Sequence, residues 1–194
     1  MICGIILAAG DSLRMGGRPK ALLKYKDKTF LETIIGNMRS AGIYDITVVL
    51  GKHSEAIQSA WPGNCERAVV NPNPENGQIS SLCIALNAMP EYAKGAVLAL
   101  VDQPLVSVGV YEDLVSQATK NSGSIIIPVY KGKRGHPIFL SKEVWPLCHQ
   151  VPPNTGLHWV VHHPEAKVMN LEVNDETVIR DIDTPEDYKK HIGD

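Results

Sequence analysis

Three stretches of this 194-residue chain hold the residue types best suited to chemistry. The first reads Leu7-Ala8-Ala9-Gly10-Asp11-Ser12-Leu13-Arg14-Met15-Gly16-Gly17-Arg18-Pro19-Lys20. Its small residues let a ligand approach the main chain, exposed N–H groups can cradle oxyanions, and Arg14, Arg18 and Lys20 can neutralise a polyphosphate. A triphosphate is the natural guest, and a basic surface loop is the plain alternative. Two familiar phosphate loops are excluded. Lys20 is followed by Ala21, not by Ser or Thr, and Gly10 is followed by Asp11 and Ser12, not by a second spaced glycine.

The second stretch, Val101-Asp102-Gln103-Pro104, puts a carboxylate after an apolar run and before a proline that stiffens the turn. Such a group suits magnesium, which wants one or two protein carboxylates and takes its other ligands from phosphate and water. An Asp-type turn cap is the competing reading. The third stretch is Asp181-Ile182-Asp183-Thr184-Pro185-Glu186-Asp187. Helix capping and the macrodipole explain Glu186 and Asp187, and on spacing alone they explain Asp183 as well.

The elements that must position these residues alternate along the chain. Residues 3–7, 46–50, 68–70, 96–101, 125–128 and 137–140 read as strands, with further strands near 167–173 and 178–182. Helices fall between them. One starts at Thr29 and Glu32 in capping-box spacing and stops at Gly42; others cover about 54–61, 80–89 and 107–119, the last with Ser107 as N-cap. Residues 141–164 read as helical but broken by Pro152 and Pro153, and Thr184 with Pro185 opens a terminal helix. This order predicts an α/β fold, a doubly wound and mainly parallel sheet with helices on both faces. Ligands of such sheets sit at the carboxyl ends of strands near a switch point, and Gly10, Asn71 and Asp102 each follow a strand. The strand at 46–50 ends in Gly51 and Lys52, not in the acidic residue that a dinucleotide ribose would require, which argues against a nicotinamide dehydrogenase.

With 44% hydrophobic and 21% charged residues, the chain is expected to form a single domain over 1–194. A net charge of −2 argues against a general partner among nucleic acids or membrane surfaces. The apolar run at 2–9 is too short to span a membrane and lacks a basic flank, so it reads as a buried strand and not as a signal peptide. Cys3, Cys65, Cys83 and Cys148 are scattered without a CxxC pair, as expected of reduced thiols in a cytoplasmic protein. His162 and His163 stand without a third ligand in spacing and read as surface or capping groups.

Taken together, these segments resemble the nucleotidyltransferase family that matures molybdenum cofactor, and most closely the molybdenum cofactor cytidylyltransferases. The pattern LAAGxSxRMGxxK matches 7–20, GxSSSL is approached by Gly77-Gln78-Ile79-Ser80-Ser81-Leu82, DQP matches Asp102-Gln103-Pro104, GHP matches Gly135-His136-Pro137, and DIDTPED matches 181–187 in full. The resemblance implies a Rossmann-like nucleotidyltransferase fold. It implies that Ala8, Ala9 and Gly10 approach base and ribose, that Arg14 and Lys20 hold the triphosphate, and that Gly77, Ser80 and Ser81 line the nucleoside pocket. Leu7, Ser12 and Asn71 complete the expected nucleotide-binding set. Asp102 and Asp183 are expected to bind Mg2+, and Arg14, Lys20 and Asp102 to be catalytic. Gly135 and His136 are expected at the acceptor.

By the same resemblance, CTP is the expected nucleotide, because relatives that use GTP carry LAGG where this chain has Leu7-Ala8-Ala9-Gly10. The implied reaction is in-line attack by the phosphate of molybdopterin on the α-phosphorus, with pyrophosphate leaving. Implied partners are a molybdenum hydroxylase or its maturation factor, with a monomer as the default state. The chain departs from the pattern twice: an extra residue separates Gly16 from Lys20, and the DxGAR-like segment reads Asn154-Thr155-Gly156-Leu157-His158, without acid or arginine. Rival readings are a nucleotidyltransferase acting on a sugar phosphate or polyol phosphate, and a nucleotide-binding maturation chaperone without turnover.

Overall fold

The first apolar run becomes the centre of a sheet. In the computed structural model, which describes residues 1–61, 66–152 and 155–193, the strands are β1 (Ile2–Ala8), β2 (Lys24–Tyr25), β3 (Lys28–Thr29), β4 (Ile46–Leu50), β5 (Arg67–Val70), β6 (Gly95–Leu100), β7 (Ser124–Tyr130), β8 (Lys133–Arg134), β9 (Ile138–Ser141) and β10 (Lys167–Glu172). The helices are α1 (Phe30–Ser40), α2 (Ser54–Ala60), α3 (Gln78–Asn87), α4 (Val108–Lys120), α5 (Trp145–Cys148), α6 (Leu157–Val161) and α7 (Pro185–His191). The expectations for Cys65, Pro153 and Asn154 lie outside the described residues.

Strands run in the order β10-β7-β9-β6-β1-β4-β5, with β8 paired to β7, and β2 and β3 forming a separate hairpin. β1 is parallel to β4 and β6, β4 to β5, and β7 to β10. β9 runs against both β6 and β7. The sheet is therefore mixed but mainly parallel, as the alternation of elements predicts.

Alternate residues of β1 enter opposite cores, the signature of a strand covered on both faces. Ile6 and Ala8 pack with Leu31, Ile34 and Met38 of α1 and Leu114 of α4, whereas Cys3, Ile5 and Leu7 pack with Leu82 and Ala85 of α3 and with Trp145 and Val160. α1 starts where a reciprocal capping box satisfies its first donors: the Glu32 amide donates to Thr29 Oγ1 at 3.1 Å and the Thr29 amide to Glu32 Oε2 at 2.7 Å. Beyond its end, Gly42 takes a left-handed φ of 84° that a side chain would resist.

One expected element is corrected. Residues 178–182 do not form a strand; Glu176–Ile179 is a 3-10 turn. Asp175 sets that turn by accepting from the Thr177 amide at 2.9 Å, and its other oxygen takes the Ser107 amide at 3.1 Å. Ser107 itself occupies the N-cap position of α4 but makes no side-chain cap bond. The β-branched run Thr177-Val178-Ile179 suggests a strand, and a local carboxylate overrides it.

The winding places a crevice over β1. The chain moves outward through β4 and β5, then returns to lay β6 on the other side of β1. The carboxyl ends of β1 and β6 therefore lie side by side at the topological switch point, where no connection crosses. The loop after β4 closes onto the same region: a Cβ on Gly51 would lie 2.2 Å from the Ala9 carbonyl oxygen. Gly51→Ala is expected to destabilise the fold by roughly 1–3 kcal/mol and to displace the 9–12 backbone. Chemical denaturation of wild type and variant measures the first effect, and unaltered stability would show that the two loops are not in contact.

Candidate active site

A cleft of about 440 Å³ opens over the ends of β1 and β6. Its walls include Leu7, Ala8, Ala9, Gly10 and Ser12 from β1 and its loop, Gly77 and Ser81 at the start of α3, and Lys20, Asp102 and Asp183. The N–H groups of Gly10, Asp11 and Ser12 have no partner among the described residues and are free to donate to an anion.

The loop after β1 is organised by Ser12, a buried residue with a left-handed φ of 54°. Its carbonyl accepts the Met15 and Gly17 amides, and its hydroxyl accepts the Lys20 amide at 3.2 Å. Gly16 and Gly17 follow with φ of 65° and 76°. These two left-handed residues absorb the extra length before Lys20 as a bulge, and Lys20 still turns inward. Its ammonium lies 3.1 Å from Asp102 Oδ2 and hydrogen-bonds Asp183 Oδ1, while Arg14 lies 2.8 Å from Asp183 Oδ2. Arg18 is exposed and takes no place in the cleft wall.

Separate constraints hold the two aspartates. Asp102 follows β6, its carbonyl accepting the Ile182 amide at 2.8 Å, which draws the 181–187 segment to the tip of that strand. Asp183 does not cap α7. Thr184 is the N-cap, and the Asp187 carboxylate takes the amides of Asp183 and Thr184 at 3.2 and 2.9 Å. The Asp183 carboxylate is thereby left to face Lys20 and Arg14.

The charges answer to this packing. Burial raises the Asp102 carboxyl above the usual range, opposed by the adjacent Lys20 ammonium. Burial also works against charge on Lys20, but Asp102 and Asp183 outweigh it and raise its pKa. Asp102 Oδ1 is buried without a hydrogen-bond partner among the described residues. An unpaired carboxylate oxygen beside a second carboxylate fits a hard divalent cation. No group of three metal-binding side chains occurs among the described residues, so phosphate and water would supply the remaining ligands.

Asn71 and Ser80 are not in the cleft wall. Asn71 is buried and donates to Ser80 Oγ at 2.8 Å and Ser81 Oγ at 2.9 Å, while its Oδ1 accepts the Asn73 amide. It clamps the 71–77 loop to the first turn of α3, so its place is behind Ser81. Sequence reasoning gave no role to Pro19, Ala21, Ile57, Pro74, Gln78 and Leu100, which also line the cleft. Apolar or amide residues give no chemical signal from type and spacing.

A second pocket of about 400 Å³ adjoins the first and shares Leu7 and Gln78 with it. Leu82, Leu98, Ile127 and Ile138 form its floor; Gly135, His136, His158 and His162 stand around it. Gly135 is fixed by close approach, since a Cβ there would lie 2.1 Å from the Val178 carbonyl oxygen, and the His136 amide donates to that same oxygen at 2.9 Å. Burial pushes the His136 imidazole down to about 4, against an opposing pull from Asp181. His162 caps α6 with its ring nitrogen 2.9 Å from the His158 carbonyl, and His163 packs on Trp159.

A family model described as the MobA-like NTP transferase domain matches residues 4–168. The chain belongs to that family. It is a MobA-like nucleotidyltransferase, and two of its relatives match it over nearly its whole length. It is 28% identical over 188 residues to the molybdenum cofactor cytidylyltransferase of Escherichia coli K12, covering 95% of this chain and 92% of that protein. It is 29% identical over 193 residues to the nicotine blue oxidoreductase of Paenarthrobacter nicotinovorans, covering 95% and 93%. Among solved structures, Rv0371c of Mycobacterium tuberculosis H37Rv superposes with a TM-score of 0.87 at 30% identity, covering 100% of this chain and 98% of that one; a second structure of that protein is a complex with manganese. No helix among the described residues of this MobA-like chain is long and apolar enough to cross a membrane.

His136 yields a pH prediction. Its folded pKa, near 4, lies below the unfolded value of about 6.5. The unfolded chain thus binds more protons between these values, and the stabilisation present above 6.5 is lost as pH falls toward 4. Relative to His136→Gln, wild type should lose stability across that window with a limiting slope of about 1.4 kcal/mol per pH unit. Parallel stability curves in denaturant titrations would show that the imidazole is solvated in the fold.

Proposed function

We propose that this nucleotidyltransferase transfers CMP from CTP to the phosphate of molybdopterin, releasing pyrophosphate, and that the whole chain acts as one unit. The observation that carries the reading is the convergence of Lys20, Asp102 and Asp183 in a cleft that joins a second, apolar-floored pocket through Leu7 and Gln78. Two adjoining pockets suit two substrates. The cations and paired carboxylates suit a polyphosphate and its metal, which favours nucleotidyl transfer over the redox activity named for one relative. The likeness to a molybdenum cofactor cytidylyltransferase supports the choice of acceptor. So does the floor of Leu82, Leu98, Ile127 and Ile138, which suits a flat heterocycle better than a polyol.

In this reading the unpartnered N–H groups of residues 10–12 and Arg14 hold the triphosphate, and Ser81 and Gly77 flank the nucleoside. Asp102 and Asp183 hold Mg2+, which when bound withdraws charge from the phosphoryl oxygens; the manganese complex of the mycobacterial relative supports a divalent ion. Lys20 then neutralises the α-phosphate. Gly135 and His136 border the acceptor, with His136 neutral at physiological pH and so able to donate or accept a hydrogen bond without adding charge. The acceptor phosphate is already ionised, so no strong general base is required.

Pyrophosphate release with Mg2+, molybdopterin and each nucleoside triphosphate in turn tests the proposal. CTP should be the preferred donor, and Lys20→Met should lower kcat by roughly 10²–10³. Binding is read separately by thermal stability: CTP at a hundredfold excess over its Kd should add about 2.7 kcal/mol, and less in Asp102→Asn. Equal turnover with GTP would remove the base assignment, and turnover only with a sugar phosphate would remove the acceptor.

A further inference from the structure

Lys20 occupies the space between the two carboxylates that the proposed reaction needs for its metal. Its ammonium contacts both Asp102 and Asp183, Arg14 holds the other oxygen of Asp183, and three of the four carboxylate oxygens are thereby engaged by cations. Only Asp102 Oδ1 is without a partner among the described residues. Two positive and two negative groups make a neutral quartet.

We propose that Lys20 is a place-holder that bars a bare divalent cation from Asp102 and Asp183 and yields only to the polyphosphate of the nucleotide. The inference rests on the reading of those aspartates as the metal site. A lone divalent ion entering the quartet would add two positive charges beside an ammonium and a guanidinium. A triphosphate supplies acceptors for both, and the open N–H groups of residues 10–12 receive part of its charge. The ammonium needs to swing only from carboxylate to phosphate. Lys20 is fixed at its backbone through the Ser12 hydroxyl, while its side chain carries the freely rotating bonds that such a swing uses.

The consequence is an order of binding in which nucleotide precedes or accompanies metal. It leaves the carboxylates paired between turnovers, when unpaired carboxylates in a half-buried cleft would repel each other.

Mn2+ binding followed by water-proton relaxation tests this without turnover. Wild type should bind Mn2+ at least tenfold more weakly alone than with saturating CTP, and inorganic tripolyphosphate should open the site as CTP does. Lys20→Met and Lys20→Gln should bind bare Mn2+ at least tenfold more tightly than wild type, with folding of each variant checked by its melting transition. Wild type binding bare Mn2+ as tightly as both variants would overturn the place-holder. The reading beneath it is tested by adding Asp183→Asn to Lys20→Met: loss of Mn2+ binding supports the aspartate pair, and undiminished binding places the metal elsewhere and overturns both ideas. An effect of tripolyphosphate without an effect of CTP would support the place-holder and count against CTP as the substrate.

Discussion

The cleft depends on one contact, the ammonium of Lys20 between carboxylates that stand 82 and 163 residues further along the chain. No local interaction brings these groups together. β1 and β6 must pair in parallel so that Lys20's loop and Asp102 leave the sheet at one edge, and the 181–187 segment must return to that edge. The amide of Ile182 on the carbonyl of Asp102 makes the second connection, and the Thr184–Asp187 capping box then sets where Asp183 points. Each step is an ordinary backbone or capping hydrogen bond worth about 0.5–1.5 kcal/mol net, and together they place three charged groups within contact distance.

Much of the frame was legible because its elements carry redundant signals. α1 has a capping box at one end, a glycine at the other and apolar residues at helical spacing between, and β4 is a five-residue run, apolar but for Thr47, that is buried throughout. Residues 178–182 failed for the opposite reason. Side-chain type argued for a strand, but the local chain follows Asp175, and the nearest strand edges are already occupied by β8 and β10. The orientation of β9 was equally invisible. Parallel and antiparallel strands of four buried residues look alike in sequence, and only the route of the chain between β7 and β9 decides between them.

The site was legible to a different degree. Lys20, Asp102 and Asp183 belong to short segments whose chemistry is visible in type and spacing, and the fold brings them together. Asp183 on its own reads as a cap, and only the presence of two better caps, Thr184 and Asp187, frees it. Asn71 shows a different case: a polar residue at a strand end reads as a ligand, and in the fold its amide group bonds Ser80, Ser81 and Asn73 at once, behind the cleft wall. A buried Asn meets its hydrogen-bonding needs wherever partners lie nearest, and here they lie in the protein.

The extra residue before Lys20 shows how little of a loop's length matters if its ends are fixed. Ser12 binds the loop at one end through its carbonyl and at the other through its hydroxyl on the Lys20 amide, so the intervening backbone is free to bulge. Two adjacent glycines at positive φ supply that bulge at low steric cost. A non-glycine residue at either position would strain the turn through its positive φ. The position of the lysine ammonium therefore rests on Ser12 more than on the count of residues between Gly16 and Lys20. Length variation between those residues is compatible with the same charge cluster as long as the Ser12 clamp and the left-handed glycines remain.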